Sequence, residues 1–436
     1  MNDSWKEVAF GDLAAPIRNA IVGGPFGSNL VSNDYVESGV PVIRGQNMGS
    51  RWVGGDFVFV NEEKATSLSG NLARTGDLVF TQRGTLGQVA IVPNGDHDYY
   101  LVSQSQMKAT VDAARADAKF LYYFFSSEAQ QDWIRSNAIQ TGVPHTNLGI
   151  LKKHPVLLPS LPEQRAIAAV LGALDDKIEQ NRRTGRALEG LVQATFKAWF
   201  VDFEPVKAKA AGQTSFPGMP PATFAALPDS LTDSPLGPVP KGWEIRTIGD
   251  LVTVRGGGTP STKVAEYWDG GVHFWATPKD LSGLQDPVLL KTSRRITDAG
   301  AECISSGVLK ENTVLLSSRA PVGYTALAKV PVAVNQGFIA MTCDGPLPPH
   351  YVLHWTRSML GEIKSRASGT TFPEISKGAF RPIPAILPSV AVHAFENFAA
   401  SLFGLIEANA RQSLSLEEMR SYLLPRLLSG AVRVRL

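Results

Sequence analysis

The sequence predicts an α+β protein: two similar mixed α/β domains separated by two long helices packed as an antiparallel coiled coil, with pseudo-twofold symmetry. Three observations carry that expectation. The first is a heptad seam. Ile167, Leu171, Leu174, Ile178, Asn181, Gly185, Leu188, Val192, Thr195 and Trp199 alternate at steps of four and three, the period of a coiled coil rather than of a short globular helix. The second is that this seam recurs without a gap as Phe395, Ala399, Leu402, Ile406, Asn409, Ser413, Leu416, Arg420, Leu423 and Leu427, down to a polar Asn followed by a small residue. The third is that the rest of the chain is duplicated with it.

Length and composition bound the problem. At 436 residues the chain is too long for a single core. Its 44% hydrophobic and 19% charged residues are those of an ordinary globular protein. No apolar run approaches the ~18 residues of a membrane span, and MNDSWKEV lacks the basic and apolar regions of a signal peptide. A cytoplasmic protein with no membrane partner is expected. Two cysteines, Cys303 and Cys343, stand apart from one another and from any His cluster, which fits a reducing compartment and no metal site. A net charge of +2 means that any nucleic-acid contact rests on local patches or on partners.

Taken in order, the first domain covers 1–158. Its short Val-, Ile- and Phe-rich runs, Val40–Ile43, Leu78–Thr81 and Val89–Val92, are bounded by Gly, Asn and Pro and read as strands. Phe120–Ser136 has helical spacing. The first rod, 159–203, opens on Ser160-Leu161-Pro162-Glu163, a Ser-x-x-Glu capping box with proline in the first turn, and is closed by Phe203-Glu204-Pro205. Residues 204–242, rich in Pro, Ala and Gly without periodicity, read as a linker with little structure of its own. The second domain, 243–387, repeats the first. Trp5 and Gly11-Asp12-Leu13 reappear as Trp243 and Gly249-Asp250-Leu251, Arg83 as Arg319, Gln104 as Gln336, and Leu157–Ser160 as Ile386–Ser389. Strands are expected at Val314–Leu316 and Val332–Val334, and a helix at Tyr351–Ala367, entered through Pro348-Pro349. The second rod, 388–430, lacks the Glu of the capping box. Pro425 is expected to kink or stop it, with Gly430 beyond and a tail at 431–436.

If the rods pack antiparallel, Asn181 meets Asn409 at their midpoint, where each amide satisfies the other. Such a polar pair specifies register, because a slip leaves an amide facing Leu or Ile. Gly185 and Ser413 beside it would let the backbones approach. A rod of about 38 residues spans roughly 57 Å at the helical rise, so the predicted output is a fixed distance between two similar but non-identical domains.

Two half-sites a set number of base pairs apart on duplex DNA are the natural object for such a ruler. Positions common to both domains suit fold or backbone contacts, and positions that differ suit base reading. Arg83 and Arg319, and Gln104 and Gln336, are thus structural or phosphate-binding. Base-reading candidates lie in the divergent loops: Arg44, Gln46, Asn47, Arg51, Trp52 and the loop Gly142–His145, with His145, in the first domain. In the second they are Thr277, Lys279, Lys291–Arg295 with Arg294 and Arg295, Thr370 and Thr371. No Walker loop, dinucleotide fingerprint, HExxH or GxSxG occurs, and Pro348-Pro349-His350-Tyr351 lacks the leading Asn or Asp of an amino-methyltransferase motif. No catalytic or metal residue is expected. On the residues alone, a scaffold whose paired domains bind protein or glycan is the alternative, and an enzyme with an unrecognised site in the Gly-rich loops is a second rival.

Four segments carry a resemblance over essentially the whole chain. They are Leu158-Pro-Ser-Leu-Pro-Glu-Gln-Arg165, Ala194-Thr-Phe-Lys-Ala-Trp-Phe-Val-Asp-Phe-Glu-Pro-Val206, Leu236-Gly-Pro-Val-Pro-Lys-Gly-Trp-Glu244 and Leu423-Leu-Pro-Arg-Leu-Leu-Ser-Gly430. By these it resembles the specificity subunits of type I restriction–modification systems. The resemblance implies two target-recognition domains and two conserved helical regions forming an antiparallel coiled coil. It implies a complex with double-stranded DNA and two modification (methyltransferase) subunits, to which restriction subunits are added, and a bipartite target. It also implies adenine methylation with S-adenosylmethionine held by the modification subunit, so that no cofactor is expected in this chain. Val390–His393 departs from the Pro-Glu-Gln entry of the first rod.

Overall fold

The computed structural model describes residues 5–95, 97–140, 143–369, 371, 373–388 and 390–435. The chain divides into two compact units. One runs to Lys177 and resumes at Ser415, and the other is Ile178–Leu414.

In the first unit a four-stranded antiparallel sheet has the order Ile21–Gly23, Gln106–Ala109, Leu78–Thr81, Val89–Ile91. A second sheet of five strands has Val40–Ile43 at its centre, parallel to its neighbour Tyr99–Val102. Lys6–Ala9 and Pro155–Leu158 close the domain as an antiparallel pair. The core is aromatic, with Phe10, Phe80 and Phe125 in mutual edge contact at 4.9–5.6 Å between ring centres. The segment expected as one helix at Phe120–Ser136 is two, Ala118–Ser126 and Glu128–Ser136. Asp117 caps the first by accepting the Phe120 N–H at 2.9 Å. Ser127, extended at ψ 146° with its hydroxyl on the Phe124 carbonyl, ends it.

The second unit repeats the plan. Thr253–Arg255, Phe338–Thr342, Val314–Ser317 and Thr325–Ala328 are neighbours in that order, with Val288–Leu289 added at the edge. His273–Ala276 runs parallel to Val332–Val334, and Glu244–Thr247 pairs with Pro384–Leu387. The expected helix at Tyr351–Ala367 again divides, into Pro349–Ser358 and Leu360–Ser365.

The rods are the helices Leu161–Phe200 and Ala391–Leu428. Every seam position named above is buried or half-buried, as a seam that excludes water requires. Within each unit the two helices run antiparallel. In the first, Arg420 pairs with Asp175 at 2.6 Å and Arg433 with Glu163 at 3.1 Å. In the second, Asn181 lies at Asn409–Ser413 while Phe196 lies 5.6 Å from Phe395. Among the described residues no helix is long and apolar enough to cross a membrane.

Several local expectations need correction. Asn181 does not pair side chain to side chain with Asn409. Its Nδ2 donates to the Asn409 backbone carbonyl (3.3 Å), to Gln412 Oε1 (3.0 Å) and to Ser413 Oγ (3.3 Å). What Gly185 admits is not the facing helix: a Cβ there would stand 2.8 Å from Asp286 Oδ1. The capping box at Ser160 is half made. Ser160 Oγ accepts the Glu163 N–H at 3.4 Å, but the Glu163 carboxylate is taken by the Trp5 indole (3.2 Å) and Arg433. Pro425 does not stop the second rod, which continues to Leu428. The Arg426 guanidinium takes the Tyr422 carbonyl at 2.8 Å nearby.

The expected linker, 204–242, is not structureless. Phe203 turns left-handed (φ 53°) to end the first rod, and Glu204–Ala210 and Pro221–Ala226 are helices. Leu231–Thr232 pairs with Val239–Pro240. Val206, Met219, Phe224 and Leu227 are buried in the same core as Trp199, Trp243 and Phe395. Sparse apolar anchors, without a period to announce them, fasten the segment down.

Candidate nucleic-acid interface

In the second domain the parallel strands His273–Ala276 and Val332–Val334 end side by side, and the chain leaves the first of them in a tight turn. The Asp280 carboxylate caps that turn. Its Oδ2 accepts the Thr277 N–H (2.8 Å) and hydroxyl (2.7 Å), while Oδ1 accepts the Ser293 N–H (2.7 Å). A cleft of about 410 Å³ opens here, lined by Thr277, Lys279, Ser282, Arg319, Tyr324 and Asn335 among others. Three residues singled out in the sequence, Thr277, Lys279 and Arg319, therefore meet in one place. Lys279 is exposed. Arg319 is half-exposed and lies 3.6 Å from Glu374, an ion pair open enough to solvent to yield to another anion.

Arg294 and Arg295 lie on Arg294–Ile296, the strand paired with His273–Ala276. Both are exposed and both are stacked. Arg294 sits 3.5 Å from the Trp268 ring centre and Arg295 4.4 Å from that of Phe274. Stacking orders the guanidinium planes and leaves their charge outward. Thr371 is exposed. Thr370 falls outside the described residues.

In the first domain the sequence candidates divide. Arg44 is half-buried and Gln46 exposed, at the turn after Val40–Ile43, and Gln46 Nε2 donates to the Asp56 carbonyl at 3.1 Å. Asn47 is a correction. It is 1% exposed, accepts the Arg44 N–H (3.0 Å) and donates to the Gly54 and Asp56 carbonyls, so it builds the turn and presents nothing to a ligand. Arg51 is a second correction. Its side chain is only 9% exposed, bonded to Tyr123 Oη, the Gly172 carbonyl and Asp176 of the first rod. Trp52 is half-buried with Arg51 stacked on it. Arg51 and Trp52 fasten the domain to its helix. Arg83 is exposed and its backbone bridges to His145. Of the loop that leads to His145, Gly142 falls outside the described residues, Val143 and Pro144 are exposed, and His145 is half-buried.

Gln104 and Gln336 are structural in part. Gln104 Nε2 donates to the Gly27 and Leu30 carbonyls (2.5 and 2.8 Å), and Gln336 Oε1 accepts from Thr259 Oγ1 (2.6 Å). Each holds a glycine-led loop against the strand end. A Cβ at Gly24 would stand 1.9 Å from the Ser103 carbonyl oxygen, and one at Gly257 1.8 Å from that of Val334. Only glycine allows so close an approach. Among the described residues no group of three or more His, Cys, Asp or Glu side chains could hold a metal ion. The arrangement is suited to binding a polyanion with side-chain discrimination.

A family model described as the type I restriction modification DNA specificity domain matches residues 2–189 and 240–394, so that the first match takes in one domain and most of the rod that follows it, and the second takes in the other domain and only the start of its rod. The chain is 35% identical over 190 residues to the specificity subunit of the type I restriction enzyme MjaIX of Methanocaldococcus jannaschii, an alignment spanning 43% of this chain and 44% of that protein. To the specificity subunit of the type I restriction enzyme HindI of Haemophilus influenzae it is 25% identical over 98% of this chain and 99% of that one. Among solved structures, the S subunit of a type I restriction–modification system from M. genitalium superposes with a TM-score of 0.59 at 15% identity, covering 98% and 97% of the two chains. At that identity the likeness concerns the fold.

Proposed function

The chain belongs to the family of type I restriction–modification DNA specificity proteins, with two target-recognition domains, and on that premise we propose how it works. Each domain reads one half of a bipartite duplex target. The paired helices set the spacer between the halves and dock two modification subunits. Those subunits carry S-adenosylmethionine and transfer the methyl group, restriction subunits join them for cleavage, and the complex acts in the cytoplasm. This chain supplies recognition and no chemistry.

The observation that carries this reading is the duplication: the same strand pairings occur in both domains around different side chains. Common geometry suits a common ligand, and different side chains suit different half-sites. The test exchanges residues 1–155 for those of a relative, expresses the chain with its modification subunits, and maps methylated sites by sequencing. One half-site should change while the other and the spacer persist. Changes in both, or in neither, would overturn the reading. The isolated chain, at net +2, should bind DNA weakly and in a salt-dependent way without its partners.

A further inference from the structure

The two domains match hydrogen bond by hydrogen bond around the cleft. Thr81 N–H donates to the Gln88 carbonyl at 3.1 Å, and Ser317 N–H to the Tyr324 carbonyl at 2.8 Å. Ser103 N–H donates to the Ile43 carbonyl at 3.0 Å, and Asn335 N–H to the Ala276 carbonyl at 3.0 Å. The Arg44 N–H meets Asn47 Oδ1 (3.0 Å) as the Thr277 N–H meets Asp280 Oδ2 (2.8 Å). The Thr146 N–H meets the Gln82 carbonyl as the Ile375 N–H meets that of Ser318, both at 3.0 Å. These bonds align the side chains without appeal to sequence identity. Gln46 stands where Lys279 stands, Arg83 where Arg319 stands, and Gln88 where Tyr324 stands. In the first domain, too, the turn faces position 88: a Cβ on Gly45 would lie 3.7 Å from Gln88 Oε1.

Resting on the DNA reading above, we propose that the cleft of the second domain and the matching surface of the first are the specificity-determining surfaces. Arg83 and Arg319 hold a backbone phosphate, and the pairs Gln46–Gln88 and Lys279–Tyr324 read base edges. The division follows the chemistry. The arginine is common to both, as a contact blind to sequence should be. The paired positions differ in kind. Gln88 is half-buried and its Oε1 already accepts the Thr81 hydroxyl at 3.0 Å. That bond fixes the amide plane and leaves a second lone pair and the NH₂ for the bidentate contact with adenine N6 and N7. Lys279, exposed beside Tyr324, suits guanine O6 and N7, and the flat phenol suits a base face. Neither Gln88 nor Tyr324 stands out in the sequence, because each follows a glycine in a strand-to-strand turn and belongs to no motif.

The test uses the complex of this chain with its modification subunits, and reads the methylated motif by sequencing DNA from the expressing host. Lys279→Gln with Tyr324→Gln gives the cleft of the second domain the pair found in the first domain. The half-site read by the second domain should change at one or two base pairs, with the first half-site and the spacer unaltered. Gln88→Glu exchanges an adenine-reading amide for a carboxylate suited to cytosine N4 and should alter only the other half-site. Arg83→Gln and Arg319→Gln should keep the motif but weaken binding to every duplex alike, lowering the salt slope by about one. If the double variant methylates nothing, Gln88→Glu and the single Lys279→Gln decide the matter. An unchanged motif in both would overturn the proposal, as would arginine variants that alter the motif. The exchange of residues 1–155 separates the two levels. If it moves one half-site while the variants at 88, 279 and 324 move none, these are not the reading surfaces. If the exchange itself moves none, the DNA reading falls with them.

Discussion

The Nδ2 of Asn181, 2% exposed in the seam of the first rod, donates to the backbone carbonyl of Asn409 on the second. Gln412 and Ser413 complete its surroundings. A slip of one heptad would set the amide against Leu402 or Leu416. Asn181→Leu should therefore loosen register as well as leave Ser413 with one partner fewer. The expected loss is about 1–3 kcal/mol of unfolding free energy, measured by denaturant titration. A rise in stability without a change of spacer in the methylated motif would show that the amide does not set the register.

Arg51 is tied to Tyr123, Gly172 and Asp176, and Tyr123 Oη donates to Asp175, which also receives Arg420. Burial, and then the Asp175 carboxylate, push the Tyr123 phenol well above its usual range, so it stays protonated and donating. Arg51→Ala should cost about 1.5–3 kcal/mol, the worth of hydrogen bonds to charged groups, while leaving the DNA motif unchanged. A new base preference would return Arg51 to the reading surface.

Two histidines are held neutral. Burial lowers His154 to about 4, and burial, helped by the charges of Arg357 and His350, lowers His354 to about 3. Both lie below the unfolded value of about 6.5, so the unfolded chain binds more protons than the folded one at mildly acid pH. Stability is full above pH ~6.5 and falls as pH drops toward these values. His354 is packed among Phe196, Phe395 and Phe403, and neither ring nitrogen has a hydrogen-bond partner. His354→Phe should flatten the decline between pH 6.5 and 4 and be neutral or stabilising at pH 7. Thermal unfolding across that range checks it, and an unaltered slope would contradict it.

The two copies of the opening tryptophan differ. Trp5 donates its indole N–H to Glu163 at 3.2 Å, whereas the Trp243 indole N–H is buried without a partner, the second rod lacking the Glu of the capping box. Trp5→Phe should cost about 1 kcal/mol more than Trp243→Phe. Calorimetry of the two variants measures the difference, and equal costs would deny the bond any net worth.

Much of this was legible beforehand, for reasons of periodicity. Seams at Ile167–Trp199 and Phe395–Leu427 announce themselves because a coiled coil imposes one spacing over many turns. The strands at Val40–Ile43 and Leu78–Thr81 show because glycine and proline bound them. What stayed hidden depends on single contacts. Nothing in the sequence tells the buried Asn47 from the exposed Gln46 beside it, or marks Arg51 as a fastening to the helix. Met219, Phe224 and Leu227 anchor the presumed linker with no period at all. Thr277, Lys279 and Arg319 were visible as candidates, but their meeting depends on the ends of His273–Ala276 and Val314–Ser317, strands of two sheets that lie far apart in the chain.

The cleft geometry is written mainly in peptide groups, to which Gln46 and Gln88 each add one side-chain bond and Tyr324 a half-buried ring. Text and page are thus made largely of different atoms. Substitution at the exposed Lys279 costs folding little, and at 46, 88 or 324 it costs one side-chain bond or one half-buried contact, so long as the capping carboxamide of Asn47 and carboxylate of Asp280 persist. Such a molecule can drift from one target to another through intermediates that are all well folded.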